Sequence, residues 1–331
     1  MREMKYMYFN QRYFSDNVTF CENGSAVLIP EPWLLYDNSI ISFLCHVSLS
    51  PRLNSLIFVP FKKYWIRNIV RKNFDKSDTV CIIINAHFYH LYYGGIIEIA
   101  KQHFDNVKTV FIFSDKVEYF QNHYKDFPNM DSLKRDFDAV ITYNIDDHVN
   151  YDIFLDRPCF PNYGSNADVV GDYHSDVFFV GKEKGRLDKI YRVFEICHEY
   201  GLECDFHITG VEKEQQRYSN IIHFNRQIPY SEVIDRAKRT NCILNIVQDG
   251  GSGITLRDYE ALSFNKFELT DNVALIETGL YNPNQIIMLE ELNERLADIQ
   301  NGYTGNNNLK EKYSQHNWFK WLEALINETA G

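Results

Sequence analysis

The sequence predicts an α/β protein made of two doubly wound, parallel-sheet domains. Three observations carry this. Short apolar runs rich in β-branched and aromatic residues alternate with segments of helical periodicity, the pattern of strands joined by crossover helices. The runs from Thr79 onward are near-continuous in apolar residues, as strands covered on both faces must be. The 331 residues suit two domains of ordinary size, each burying its own core.

In the first half the apolar runs place strands at Lys5–Phe9, Ala26–Ile29, Leu56–Val59, Thr79–Asn85, Thr109–Ser114 and Ala139–Tyr143. Gly94–Phe104, with Ile96, Ile97, Ile99 and Ala100, reads as a crossover helix. From about Asn144 to Tyr173 the pattern dissolves into a polar segment punctuated by proline and glycine, and a domain boundary is expected near 160–170. Beyond it come strand Asp176–Val180, helix Leu187–Tyr200, strands Cys204–Thr209 and Ile221–Phe224, and helix Ser231–Arg239. Strand Cys242–Val247, helix Thr255–Ser263 and strand Phe267–Thr270 follow, with late helices at Leu289–Ile299 and Leu309–Asn327. The expected division is 1–160, 170–305 and a closing helix over 306–331 long enough to return to the first domain.

Composition narrows the function. Hydrophobic residues make up 45% and charged residues 24%, a soluble globular mixture. The net charge of −11 excludes a general nucleic-acid binder, which needs a basic surface to displace counterions. Seven cysteines are scattered singly without a C-x-x-C pair, indicating neither a disulfide framework nor a zinc site. The cysteine pattern suits a reducing cytoplasm; the N-terminus has no apolar core of signal-peptide length and no run reaches membrane-spanning length, so a chain neither secreted by that route nor membrane-spanning is expected.

Three loops in the second half attract a ligand. DGGSGITLRDYEAL, Asp249 to Leu262, follows a buried strand and opens a helix, so Gly251, Ser252, Gly253 and Thr255 stand at the carboxyl edge of a parallel sheet. Glycines there permit close backbone approach, and the helix N-terminus favours an anion such as phosphate. Arg257 can add a charge-assisted contact, and Glu260, one turn on, can accept from a sugar diol. The same stretch also reads as a plain turn capped by Ser252 or Thr255 with an exposed ion pair. It is neither a P-loop nor a dinucleotide fingerprint. A second loop, Gly181, Lys182, Lys184, Gly185 and Arg186, places cations after the first strand of that domain, where Lys182 and Arg186 can neutralise a diphosphate. A third, Gln227 to Ser231, can present Ile228 and Tyr230 to a flat base, or serve only as a turn before a helix.

The ordered set DVFFVGKEKGRL, DFHITGV and FNRQIPYSEVIDRAKRTNCILNIVQDGGSGITLRDYEALSFNKFELTDN, roughly 176–272, resembles the donor-binding domain of bacterial GT-B glycosyltransferases of surface polysaccharide and lipopolysaccharide biosynthesis. The resemblance implies two Rossmann-like domains facing a cleft, with a C-terminal helix returning to the first. It implies that the Gly181–Arg186 and Gly250–Thr255 loops hold a nucleoside diphosphate, that Ile228–Tyr230 meets the base, and that Glu260 binds ribose. The reaction implied is transfer of a hexosyl group from a nucleotide-sugar, UDP-sugar favoured, to a hydroxyl of a polysaccharide or lipid-linked oligosaccharide acceptor. Retaining members often carry a glutamate where this chain has Ser252, which leaves the stereochemical outcome open. A nucleotide-sugar epimerase on the same scaffold and a non-catalytic glycan- or partner-binding module remain as alternatives.

In such a fold the acceptor domain supplies a base. The candidates are His87, after the strand Thr79–Asn85, and Asp115, closing FIFSD. Both also read as ordinary residues, His87 with His90 as packing histidines and Asp115 as a helix cap. Asp136-Phe137-Asp138 opens a strand instead of closing one, and Asp146-Asp147-His148 lacks ligand spacing. No cofactor and no essential metal are expected, since Lys182, Arg186 and Arg257 can carry a diphosphate's charge. FKKYWIRNIVRKNF, Phe61 to Phe74, holds five cations and no acid beside an apolar stripe. Lys63, Trp65, Arg67 and Arg71 are its candidates for contact with an anionic membrane, which would make the protein peripheral at the inner face of the cell membrane. A buried helix with a basic solvent face is the alternative.

Overall fold

The computed structural model describes residues 4–9, 26–29, 36–50, 53, 61–161, 174–248, 251–306 and 308–329. The chain divides into two compact units. One comprises Met1–Arg157, Pro161–Gly164 and Gln315–Gly331, the other Pro158–Phe160 and Ser165–Ser314. The expected strand Leu56–Val59 and most of the expected boundary segment lie outside the described residues.

The first unit carries a six-stranded, all-parallel sheet. Its strands are β1 (Lys5–Phe9), β2 (Ala26–Ile29), β3 (Thr79–Asn85), β4 (Asn106–Phe113), β5 (Ala139–Thr142) and β6 (Phe154–Leu155), in spatial order β2-β1-β3-β4-β5-β6. Parallel pairing needs crossovers, and the helices that provide and flank them are α1 (Ser39–Leu49), α2 (Lys62–Asn73), α3 (Tyr89–Tyr93), α4 (Ile96–His103), α5 (Val117–His123), α6 (Met130–Asp136) and α7 (Ile145–Tyr151). β3 explains the near-continuous apolar run: from Val80 to Ile84 every residue is fully buried, because helices cover both faces. Phe9, Phe111, Phe113 and Phe120 lie among the largest side chains fully removed from water.

The second unit repeats the plan. Strands β7 (Ser175–Lys182), β8 (Cys204–Thr209), β9 (His223–Phe224), β10 (Thr240–Asn245), β11 (Phe267–Thr270) and β12 (Ile286–Met288) form a parallel sheet in the order β12-β11-β10-β7-β8-β9. Its helices are α8 (Leu187–Tyr200), α9 (Tyr230–Arg239), α10 (Leu256–Ser263), α11 (Ala274–Glu277), α12 (Leu292–Asn301) and α13 (Leu309–Lys312). Leu187, Ile190, Tyr191, Phe194 and Cys197 make the buried stripe of α8 at helical spacing. The chain runs β7 to β8 to β9 in one direction, then returns past β7 to lay down β10, β11 and β12 on the other side. The reversal falls between β7 and β10, which are hydrogen-bonded neighbours.

The final helix, α14 (Gln315–Thr329), belongs to the first unit. Trp318, Leu322 and Ile326 bury its inner face, Trp318 Nε1 donates to Asp156 Oδ1 at 2.8 Å, and the Phe319 ring lies 4.2 Å from that of Tyr6. The single late helix expected over Leu309–Asn327 is two, α13 and α14, parted at Tyr313 and Ser314. Tyr313 is buried, and its carbonyl accepts from Phe160 N–H at 2.9 Å, a contact that suits a break better than a continuous helix.

Candidate functional site

In an open parallel sheet, ligands bind outside the carboxyl ends of the strands at the point where the winding reverses. Here that point is the pair β7 and β10. The loop after β7 and the loop after β10, which the sequence singled out separately, therefore leave adjacent strands.

Side chains tie the two loops together. Arg186 donates through Nε and Nη2 to the carbonyl of Lys182, at 3.2 and 3.0 Å, and through Nη1 to the carbonyl of Ile246 beyond β10. Its guanidinium lies 5.5 Å from the centroid of the Phe179 ring. Lys184 Nζ donates to Gln248 Oε1 at 2.7 Å, spanning the same gap. Gly181 permits this: a Cβ there would stand 2.9 Å from Arg186 Nη2. Gly185 has φ +77°, the left-handed conformation in which glycine carries no steric penalty. Burial pushes the Arg186 guanidinium below its ordinary range; Asp271 and Glu183 act against that, while the charge of Arg257 adds to it. Arg186 and Arg257 are thus close enough to feel each other. Lys182 ends β7 with its side chain exposed and its carbonyl on Arg186.

Asp249 and Gly250 lie outside the described residues; beyond them, Gly251 donates its N–H to the carbonyl of Gln248 at 2.9 Å. Of the two caps considered for the following helix, Thr255 is the one used. Its Oγ1 accepts from Arg257 N and Asp258 N, and Asp258 Oδ2 accepts from Thr255 N at 2.6 Å, a capping box. Asn272 holds the box from below, donating to Gly253 O at 3.1 Å and to Asp258 Oδ1 at 3.0 Å. Asp271 braces the neighbouring strand end, accepting from Val247 N at 2.7 Å and from Lys189 Nζ at 2.9 Å. Asp258 and Glu268 are both fully buried, and burial raises the pKa of each. The N-terminus of α8, by contrast, has no side-chain cap, which leaves its first-turn N–H groups for an anion.

Glu260 is enclosed, not displayed. Its Oε1 accepts from the Tyr230 hydroxyl at 2.9 Å and its Oε2 from Arg257, so the pair read from sequence as a possible surface ion pair is a buried one. The third loop reaches the site through this bond: Pro229 precedes α9, and Ile228 and Tyr230 pack on the cluster of Phe178, Val233, Ala237, Ile243 and Ala261. Asp271 and Asn272 were not singled out from the sequence. Their signal was present, a polar pair closing a buried strand that runs beside β10.

In the first unit His87 and Asp115 follow β3 and β4, which are adjacent. His87 N donates to Asn85 Oδ1 at 3.1 Å, and its ring packs edge-on to Phe120 with centroids 4.8 Å apart. Burial lowers the His87 pKa, and the charge of Asp115 opposes the shift. Asp115 is not the cap of α5; Asp147, buried, fills that place by accepting from Val117 N at 2.9 Å. In α2, Trp65, Ile66, Ile69 and Val70 are buried in the core of the first unit. Trp65 therefore faces inward, because this stripe is what binds the helix to its own sheet, whereas Lys63, Arg67 and Arg71 are exposed.

Among the described residues one group has metal-ligand proximity, Asp205, His207 and His223, whose ligand atoms lie within 4.8 Å of one another. Asp205 is already neutralised there: Oδ2 accepts from Arg236 Nη1 at 2.7 Å and Oδ1 bonds His207 Nε2 at 2.9 Å. The buried His207 Nδ1 has no hydrogen-bond partner, and the His207 and His223 rings stack with centroids 4.6 Å apart.

Comparison with known proteins agrees with this architecture. Residues 192–323 match the model of the family described as Glycosyl transferase-like. No curated protein matches. Among solved structures, the apo form of the lipopolysaccharide outer core galactosyltransferase WaaB is 12% identical with a TM-score of 0.50, over 98% of this chain and 99% of that one. The N-terminal domain of the Candida albicans trehalose-6-phosphate phosphatase is 11% identical with a TM-score of 0.50, over 99% of this chain and 97% of its own. The two parallel six-stranded sheets are those of the GT-B fold. On that fold, residues 192–323 carry the similarity to the glycosyl transferase-like family.

Proposed function

We propose that the chain transfers a hexosyl group from a UDP-sugar to a hydroxyl of a polysaccharide or lipid-linked oligosaccharide, without an essential metal ion. The observation that carries this reading is that Arg186 bridges both strand ends at the winding reversal of the second sheet, within reach of the charge of Arg257, with Lys182 ending the first of those strands. A diphosphate placed there meets two guanidinium groups that favour paired oxygens, an ammonium, and the uncapped start of α8. These charges stabilise the departing nucleoside diphosphate as the bond from the anomeric carbon to its oxygen breaks.

Ile228 and Tyr230 would flank the base. Glu260 would accept from the ribose, which requires a sugar hydroxyl to take the place of the Tyr230 hydroxyl on Oε1. On the acceptor side, His87 is kept neutral by burial, the form that can take a proton from the attacking hydroxyl, with Asp115 near enough to stabilise the imidazolium that results. We place the reaction in the cytoplasm with the acceptor presented at a membrane face.

Calorimetry with UDP and GDP tests the donor site. UDP should bind the whole chain, and Arg257→Ala should weaken it by about tenfold or more, the value of a charge-assisted hydrogen bond. UDP release from UDP-hexoses should require an acceptor and persist in EDTA. Failure of both nucleotides to bind would remove the reading, and isomerised sugar without acceptor would replace it with epimerisation.

A further inference from the structure

Beneath the start of α10 lies a group of acids that the transfer reaction leaves without a role. Asp258 on α10 and Glu268 on β11 are fully buried, as is Glu260 beside them. Glu260 has the Arg257 guanidinium and the Tyr230 hydroxyl as donors. Asp258 has neutral ones: Thr255 N–H on Oδ2 at 2.6 Å, and the Asn272 amide at 3.0 Å on Oδ1 and 3.2 Å on Oδ2. Glu268 Oε1 accepts from Asn245 Nδ2 at 3.0 Å, but among the described residues its Oε2, also buried, has no donor on it. The Asp258 and Glu268 carboxyls lie within hydrogen-bonding reach of each other. As two carboxylates they would repel at short range with no water to screen them, and neither could donate. One proton held between them removes the repulsion and gives the orphaned oxygen a partner.

We propose that Glu268 carries this proton on Oε2 and donates it to Asp258, and that the resulting bridge makes Glu268 a positioning residue for the donor loop, the second half resting on the proposed donor site. The donor sets decide which carboxyl is the acid. Thr255 and Asn272 both give their hydrogens to Asp258, bonds that are strongest to a carboxylate, whereas Glu268 has an oxygen free to carry one. Burial raises the pKa of both groups, and the charge of Asp258 raises that of Glu268 further; Glu260 acts in the same direction, and the buried Cys242 thiol on β10 also feels Glu268. Asp258 passes the effect on: it caps Thr255, and the Asn272 amide joins it to the Gly253 carbonyl at 3.1 Å. Once pH passes about 4.3, the unfolded chain releases the Glu268 proton and the folded chain keeps it, so stability declines with rising pH until the folded carboxyl itself titrates.

The first readout needs no nucleotide. Infrared spectra of the whole chain at about pH 8 should show the carbonyl stretch of a protonated carboxylic acid, lost in Glu268→Gln and kept in Asp156→Asn. Glu268→Gln retains a donor for Asp258 and an acceptor for Asn245, so it should hold UDP affinity within about twofold of wild type and flatten the decline in melting temperature from pH 5 to pH 8. Glu268→Ala takes the donor from Asp258 and should weaken UDP by about tenfold or more. Absence of the band, its survival in Glu268→Gln, or parallel melting-temperature slopes would overturn the shared proton. Wild-type UDP affinity in Glu268→Ala, or a loss in Glu268→Gln equal to that in Glu268→Ala, would overturn the positioning role. A wild type that shows the band but binds no UDP would remove the donor reading, and the positioning role with it, while leaving the shared proton in place.

Discussion

Replacing Arg186 by alanine is the perturbation whose cost can be worked most fully from the structure. The guanidinium makes two bonds to the Lys182 carbonyl, one to the Ile246 carbonyl, and a stacking contact with Phe179. A hydrogen bond from a charged donor contributes about 1.5–3 kcal/mol and a cation over a ring about 0.5–1 kcal/mol. Against these stands the cost of burying the cation, visible in its lowered pKa. Lys182 ends its strand exposed, so water can replace Arg186 at that carbonyl. Ile246 is fully buried, and its carbonyl loses a partner that nothing replaces. The net loss should be about 2 kcal/mol of stability in the second unit, together with a fall in UDP affinity between about tenfold and about 150-fold. Arg186→Lys keeps the charge without the planar fork, so it should recover part of the affinity and little of the stability. Denaturant unfolding followed by circular dichroism, with calorimetry for UDP, reads both quantities. Wild-type UDP affinity in Arg186→Ala would show that this residue does not face the diphosphate.

Other outcomes follow from neighbouring contacts. Gly181→Ala would place a Cβ 2.9 Å from Arg186 Nη2 and strain its bonds to both strand ends, so stability and UDP affinity should fall together, each by less than in Arg186→Ala; unchanged values in unfolding and calorimetry would contradict the close contact. Asn272→Ala removes the amide that joins Gly253 to Asp258 and should cost about 2 kcal/mol in denaturant unfolding while weakening UDP, whereas an unaltered unfolding midpoint would discount its support of the loop. Burial raises the Asp156 carboxyl to about 7, with Trp318 opposing the shift. The folded state then holds a proton that the unfolded chain releases near pH 4, so this group's contribution is present below that pH and lost as pH rises through about 7. Asp156→Asn keeps an acceptor for Trp318 and should flatten the decline in melting temperature between pH 5 and pH 8; parallel slopes in variant and wild type would refute the assignment.

Much of this architecture is written locally in the chain. β1, β3, β8, β11 and α8 have the bounds expected from their apolar runs and periodicity, because a strand covered on both faces or a helix with one buried stripe shows its environment in its own residues. β10 begins two residues before the expected Cys242, since Thr240 is polar yet buried, its hydroxyl donating to Ser175 O at 3.2 Å, a partner 65 positions away. α1 escaped detection because apolar residues occupy both its sides, which hides helical periodicity. The same reasoning separates the legible from the illegible at the site. Glycines, cations and their place after strands could be read, whereas the enclosure of Glu260 depends on Tyr230, thirty positions earlier, and the capping of α5 on Asp147, thirty positions later. The inward turn of Trp65 likewise depends on what α2 packs against, and not on its own charge pattern.

The central claim is that the loops after β7 and β10 close on one diphosphate, and amide hydrogen exchange of the whole chain with and without UDP tests it most directly. Protection should appear together in residues 181–186 and 251–257, and both should lose it in Arg186→Ala. Protection of one loop without the other, or of neither while UDP is bound, would contradict the account.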